Sequence, residues 1–231
     1  MIGTIASVTW KRMRRGQAVW VALGIAMLPV IVAIALRQAI PDPRERMDLL
    51  IYLHIAETFV IAIVPALLVA SSIGEEIEDR TITYLWSRPL PRWHVIVGKL
   101  VALVPIAAAV VLAGWLLSIQ IAYDQLAPTW TLVAIAFETL AVSCVAAGIS
   151  TLAPKHGMAL TIIYMLLFDL PIGEIPASLQ ILSISHQTRL LGGISIHGIE
   201  AGARVAPALT IAVLAGVWFA IGLWKIRRTE A

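Results

Sequence analysis

Long apolar runs separated by short charged segments dominate the chain. A helix that crosses a bilayer needs about 20 mostly apolar residues, and the runs are near or above this length. They lie at 16–36, 49–74, 100–123, 130–153, 157–171 and 205–224. Within the second and fourth runs the only charged residues are Glu57 and Glu138, and Asp169 lies near the end of the short fifth run. The pattern predicts an all-α polytopic membrane protein with six spans, forming one transmembrane domain over 1–231.

The composition supports the same class. The chain has 231 residues, of which 60% are hydrophobic and 13% are charged, whereas a soluble domain averages about 45–50% and about 25%. So little charge cannot cover the surface of a soluble globule. A soluble enzyme, a secreted disulfide scaffold and a disordered protein are therefore excluded. Cys144 is the only cysteine, so no intrachain disulfide can form.

The basic residues indicate an orientation. An even number of spans places both termini on one side, and 12 of the 17 lysines and arginines fall on that side. Cytoplasmic loops carry the excess of Lys and Arg, so we expect both termini in the cytoplasm and the chain in the cytoplasmic membrane. The basic residues adjoin apolar runs, which suits anionic lipid headgroups of the bilayer, and we expect no nucleic-acid partner.

The first 15 residues precede the first span. Apolar residues alternate there with a basic cluster: the apolar ones are Ile2, Ile5, Val8 and Met13, and the basic ones are Lys11, Arg12, Arg14 and Arg15. This pattern predicts an amphipathic helix on the inner leaflet. The apolar run that follows is longer than the roughly 7–15 residues of a signal peptide, so we expect it to remain as span 1.

The inner loop between spans 2 and 3 is the most charged part of the chain. Its charged residues are Glu75, Glu76, Glu78, Asp79, Arg80, Arg88, Arg92 and Lys99. Apolar and aromatic positions recur there at helical spacing, which predicts an amphipathic helix over 75–86. Pro89 and Pro91 end this helix, because the residue before a proline is disfavoured in the α region. A solvated linker is the alternative interpretation.

The same loop resembles a known family. The stretches Glu75-Glu76-Ile77-Glu78-Asp79-Arg80-Thr81, Leu85-Trp86-Ser87-Arg88-Pro89-Leu90-Pro91-Arg92 and Gly98-Lys99 are similar to the signature of ABC-2 type transporter permeases. In that family the segment is a coupling helix that docks on a nucleotide-binding subunit, and it corresponds to 75–91 here. The resemblance implies that the coupling residues here are Glu75, Glu78, Thr81, Leu85, Arg88, Pro89, Arg92 and Lys99. It also implies short re-entrant helices over 172–204, which would close the outer mouth.

The resemblance implies partners as well. The chain has no G-x-x-x-x-G-K-[ST] phosphate loop, so ATP and Mg are expected on a separate soluble ABC ATPase, present in two copies. This chain would carry no cofactor, would not be an enzyme, and would pair with a second permease copy or a homologous permease. The implied function is ATP-driven export of a drug, a peptide, a lipid-like molecule or a maturation factor.

The three intramembrane acids need an explanation, because a charge at a helix centre costs about 2.5–3.5 kcal/mol on insertion scales. Glu57 and Glu138 are both predicted about 12–14 Å below the outer ends of their helices. One hypothesis is that they and Asp169 form a cavity or gate for a cationic or amphipathic substrate. The other is that the acids anchor the outer segment through Arg189 or Arg204, or are simply protonated.

Two other classes of protein remain as alternatives. An intramembrane enzyme could use Ser195 and His197, yet the G-x-S-x-G elbow is incomplete at its last position. His54 and Glu57 are one helical turn apart, but no H-E-x-x-H motif accompanies them. A purely structural membrane partner would have no need of the charged inner helix. The sequence thus predicts neither a catalytic nor a metal site.

Overall fold

The computed structural model describes residues 2–40, 42, 50–78, 93–175, 178–195, 198–199 and 204–228. Six helices in this part of the chain are long and apolar enough to cross a membrane. Spans 1 to 6 are Gln17–Ala39, Leu50–Ile77, Trp93–Tyr123, Thr129–Leu152, Pro154–Glu174 and Val205–Arg228. The predicted all-α, six-span membrane architecture is confirmed.

Three spans are interrupted internally. Span 1 consists of α-helices Gln17–Ala26 and Leu28–Ala39, which meet at Met27 just before Pro29. Span 2 consists of Leu50–Pro65, a π-helical turn Ala66–Ala70 and Ser71–Glu78. Span 5 consists of a 3₁₀ turn Pro154–His156, Gly157–Ile163, a π-helical turn Tyr164–Asp169 and Leu170–Glu174. Prolines adjoin the breaks in spans 1 and 2 because a proline has no N–H to donate within the helix.

The starts of two spans differ from the prediction by more than one residue. Span 3 begins at Trp93, seven residues before the predicted start at 100, because Lys99 is buried within the helix instead of marking its end. Span 5 extends beyond the predicted 157–171 at both ends. In both cases the sequence prediction stopped at a polar residue or a proline that the folded chain accommodates.

The elements outside the spans are short. The N-terminal helix, Ile2–Arg15, is present as predicted. After span 5 come a 3₁₀ turn Ser178–Leu182 and a helix Ile184–Gly192, here called the outer helix. Gly193 ends the outer helix with a φ of 70°, a left-handed conformation that glycine adopts without strain. Strands Ile194–Ser195 and Gly198–Ile199, which were not predicted, form an antiparallel ribbon with Ile194 opposite Ile199.

Spans 2 and 4 form the centre of the bundle. Most of their residues are buried, whereas spans 1, 5 and 6 leave most of their surface open. The apolar core is built from side chains such as Ile61 and Val64 of span 2, Trp115 of span 3 and Val142 of span 4. The polar side chains in the middle of these two spans, including Glu57 and Glu138, point into the protein rather than towards the surrounding lipid.

Spans 4 and 6 approach each other at a glycine contact. A Cβ atom added to Gly148 would lie 2.7 Å from the carbonyl oxygen of Trp218, and one added to Gly222 would lie 3.3 Å from the Cα of Gly148. Small residues at such crossings let helix backbones come close together, and this is a main source of helix association in membranes.

We expect Gly148→Ala to lower the melting temperature of the purified protein in detergent. The added methyl group meets backbone, which cannot move aside, and such overpacking costs about 1–3 kcal/mol. Gly216→Ala is the matched control, because a Cβ on Gly216 meets no described atom within 4 Å. Equal melting temperatures for the two variants would show that the close crossing does not contribute to stability.

Candidate functional site

The end of span 2 that leads into the charged loop, here called its inner end, carries the start of the predicted coupling helix. Helix Ser71–Glu78 is the last segment of span 2, follows the π-helical turn Ala66–Ala70, and bears Glu75, Glu76 and Glu78 on its last turns. The other predicted coupling residues of this loop, Thr81, Leu85, Arg88, Pro89 and Arg92, lie outside the described residues. The described part of the predicted docking element is therefore a rigid extension of span 2.

Lys99 lies inside the protein and joins the two spans that flank the loop. Its side chain is 1% exposed, and its Nζ lies 2.8 Å from Oε2 of Glu76. The same ammonium group donates a hydrogen bond to the backbone carbonyl of Ser72. A buried lysine needs such partners because an unpaired charge is costly away from water. Lys99 thus fastens span 3 to the inner end of span 2. The sequence prediction had grouped it with the docking residues.

Glu75, next to this buried pair, faces outward. Its Oε2 lies 3.4 Å from Nη2 of Arg12 on the N-terminal helix, and both side chains are exposed. A cavity of about 220 Å³ separates the N-terminal helix from this end of span 2, and Arg12, Glu75 and Glu76 are among its lining residues. Neighbouring glutamates therefore have different surroundings, Glu76 in an internal ion pair and Glu75 at the surface.

The two acids in the middle of spans 2 and 4 are buried and near each other. Glu57 and Glu138 are both 0% exposed, and their carboxyl groups are close enough to interact electrostatically. Neither oxygen of Glu57 has a hydrogen-bond partner in the described part of the chain. Glu138 faces the hydroxyl of Thr188 without a hydrogen bond of normal geometry. The sequence predicted Glu57 and Glu138 at similar depths in the membrane, and in the fold they are also near each other.

His54 belongs to the same cluster. It lies one helical turn before Glu57, is buried, and has no hydrogen-bond partner for either ring nitrogen among the described residues. Its ring meets that of Trp115 edge to face, with 6.4 Å between the ring centroids. Trp115 is held in place by a hydrogen bond from its Nε1 to Oγ1 of Thr131 at 3.3 Å. The sequence showed that His54 and Glu57 are one helical turn apart but not that both are buried.

Asp169 has a different role from the other two acids. Its Oδ1 accepts a hydrogen bond from the backbone N–H of Ile184 at 2.6 Å, and its Oδ2 accepts one from the N–H of Ser185 at 2.9 Å. The hydroxyl of Ser183 lies 3.4 Å from Oδ2. A carboxylate at a helix N-terminus satisfies free N–H groups and complements the helix dipole. Asp169 therefore ties the outer helix to span 5.

The anchoring hypothesis named different partners for the acids, and the structure corrects them. Arg189 pairs with Glu174 at 2.7 Å and donates to the carbonyl of Gly173 at 3.3 Å. Arg204 lies over the ring of Trp130, 4.2 Å from its centroid. Neither arginine forms an ion pair with the three intramembrane acids among the described residues, although Arg189 contributes to the field at Glu138. Backbone amides hold Asp169 instead.

His186 of the outer helix also takes part in the contacts that hold this helix to span 5. Partial burial and the nearby guanidinium of Arg189 lower the pKa of His186, which favours the neutral imidazole. A neutral ring can accept a hydrogen bond at Nδ1, and Nη2 of Arg189 lies 3.4 Å from that atom. The outer helix is thus fastened to the end of span 5 by a polar network.

A bundle of six apolar helices, with a charged helical extension at the inner end of span 2 and acids inside its core, defines a multi-pass membrane protein. The chain belongs to the ABC-2 family of transporter proteins, since a family model described as ABC-2 family transporter protein matches residues 7–168. No curated protein matches the chain. The matched region includes Glu57, Glu138 and the inner loop, whereas the outer helix and span 6 lie beyond it.

Membership in this family fixes the general role of the chain. The chain is a permease component of an ABC transporter, that is, the transport component that lies in the membrane. The family also implies assembly with an ABC ATPase, usually in a complex that contains a permease dimer.

Proposed function

We propose that the chain is the membrane-spanning subunit of an ATP-driven exporter in the cytoplasmic membrane. Two copies of a separate soluble ATPase bind ATP and Mg, and two permease subunits form the path. Both termini lie in the cytoplasm, in line with the excess of basic residues on that side. The cargo is a drug, a peptide, a lipid-like molecule or a maturation factor.

The continuous helix from span 2 into Glu75, Glu76 and Glu78 carries this proposal. A docking element is useful only if motion of the ATPase reaches the spans. The Glu76–Lys99 pair fastens this helix to span 3, so a force on the loop between the two spans tilts both as one body. Transport follows if the two tilted states differ in their affinity for cargo.

The acids at the end of this helix provide the test. We expect Glu75→Lys with Glu78→Lys to abolish co-purification of the ATPase while the permease remains inserted in the membrane. Breaking an interfacial charged pair costs about 2–5 kcal/mol, which is about a 30-fold loss of affinity or more. The measurement is quantitative pull-down of the ATPase from membranes that contain equal amounts of each permease variant.

A matched control reverses two acids elsewhere. Asp42→Lys with Asp124→Lys makes the same change of charge, and Asp124 lies at the opposite end of span 3 from Lys99, where it pairs with Arg37. This control should bind the ATPase as the unaltered chain does. Normal ATPase binding and transport by the Glu75 and Glu78 double variant would refute the proposed docking element.

A further inference from the structure

Three buried side chains in the core lack the partners that such groups normally have. His54, Glu57 and Glu138 are each at most 1% exposed, and none of their polar atoms has a hydrogen-bond partner in the part of the chain that the structure describes. Most buried polar groups in proteins are paired. Ionisable groups inside a membrane bundle are expensive and commonly line a substrate or ion path. The cluster therefore calls for a ligand or a partner that the described residues do not provide.

The surrounding basic groups are already engaged. Arg189, the cation that acts on Glu138, pairs with Glu174. Lys99 pairs with Glu76 at the inner end of span 2. Among the described residues no lysine or arginine forms an ion pair with Glu57 or Glu138, so a positively charged ligand would meet complementary groups there.

The chemistry of the cluster favours an organic cation over a metal ion. In the described part of the chain no group of three or more His, Cys, Asp or Glu side chains is arranged to hold a metal. One aromatic side chain adjoins the cluster instead, since the indole of Trp115 packs against His54 and is fully buried. Carboxylates combined with aromatic rings are the usual means of recognising organic ammonium-type ions.

The outer helix covers this cluster. Thr188 of the outer helix faces Glu138, and a Cβ on Gly192 would lie 3.4 Å from Ala134 of span 4. The outer helix is tied to span 5 through Asp169 and through the Arg189–Glu174 pair. Movement of the outer helix away from span 4 would uncover Glu138 from the outer side of the bundle.

We propose that Glu57 and Glu138, with His54 and Trp115 beside them, bind the positive charge of a monovalent organic cation that is carried through the bundle. The structure describes the closed form of this site, with the outer helix in place, and the cation leaves when the outer helix moves. This assignment rests on the proposed export function and specifies its cargo as cationic.

The experiment measures binding of radiolabelled tetraphenylphosphonium to the full chain in lipid nanodiscs, after subtraction of binding to empty nanodiscs. We expect saturable binding that tetraphenylarsonium displaces and that neutral triphenylphosphine oxide does not. This comparison uses the unaltered chain and needs no variant. Absence of saturable binding, or equal displacement by the neutral compound, would overturn the proposal.

The variants then locate the site. Glu57→Gln with Glu138→Gln keeps the shape of both side chains and should raise the Kd at least about tenfold, equivalent to about 1.4 kcal/mol. Asp42→Asn with Asp124→Asn removes two acids outside the cluster and should leave the Kd unchanged. If the double Gln variant is not monodisperse, the single variants Glu57→Gln and Glu138→Gln take its place. Unchanged Kd in well-folded Gln variants would place the cation elsewhere.

Failure of this inference can be separated from failure of the proposed function. The Gln substitutions lie in the core, so ATPase pull-down should be the same as for the unaltered chain. Loss of ATPase association in the Glu75 and Glu78 variant, together with no specific cation binding, would leave the export function standing and remove only the cationic cargo. Specific cation binding without any ATPase association would support the cation site and contradict the proposed ATP-driven export.

Discussion

Glu76→Gln is expected to destabilise the protein by about 3 kcal/mol, because it leaves the buried ammonium of Lys99 without its counter-charge. Breaking a buried ion pair by removing one partner typically costs about 3–5 kcal/mol, and we expect the lower end because the Glu76 side chain is 21% exposed. The measurement is reversible unfolding in mixed micelles of mild detergent and dodecyl sulfate, followed by circular dichroism.

The adjacent residue gives the control. Glu75→Gln removes the same charge one position earlier, but its pair with Arg12 is long and exposed. Exposed ion pairs contribute about 0–1 kcal/mol, so this variant should unfold almost as the unaltered chain does. Similar losses for both variants would show that burial of Lys99 is not the source of the effect.

A second substitution isolates the pair itself. Lys99→Met introduces an apolar side chain of similar length, and replacing both members of a buried pair by groups without charge is often neutral. Glu76→Gln with Lys99→Met should therefore be more stable than Glu76→Gln alone. If the two single losses simply add in the double variant, the two side chains are not coupled.

The Glu76–Lys99 pair also shows why the start of span 3 was difficult to predict. A charged residue ordinarily marks the end of an apolar run, so the sequence placed the start of span 3 after Lys99. The helix instead begins at Trp93, because Glu76, 23 positions earlier in the chain, neutralises Lys99 inside the bundle. A pattern read along one segment cannot reveal a partner on another span.

Other features were predictable for a simple reason. Glu57 and Glu138 were expected at equal depth because both helices run inward from the same side and each acid lies a similar number of residues from its helix start. Depth follows from the rise of a helix and needs no knowledge of packing. That the two spans face each other depends on packing, which the sequence does not show.

The partner of Asp169 could not be found from the sequence for another reason. Arginines stand out in a sequence, so Arg189 and Arg204 were natural candidates. The actual partners are backbone N–H groups of the outer helix, and every residue except proline has such a group. Ser183 was the available signal, since a serine is preferred just before a helix, and its side chain accepts from the N–H of His186.

Asp169→Ala is expected to release the outer helix from span 5 and to destabilise the protein by about 3 kcal/mol. The change leaves the buried N–H groups of Ile184 and Ser185 without acceptors, and a hydrogen bond to a charged group contributes about 1.5–3 kcal/mol. Amide hydrogen exchange measured by mass spectrometry should show faster exchange over 184–192, while the inner halves of spans 2 and 4 keep their protection.

Ser183→Ala provides a graded comparison at the same helix end. This variant removes the side-chain cap that accepts from His186 and leaves the Asp169 carboxylate bonded to Ile184 and Ser185. Loss of a serine cap costs about 1 kcal/mol, so exchange over 184–192 should increase less than in Asp169→Ala. The Asp169 carboxylate connects span 5 to the outer helix. The difference in exchange rate between the two variants therefore measures how much this connection contributes. Equal exchange in Asp169→Ala and the unaltered chain would show that the Arg189–Glu174 pair alone holds the outer helix in place.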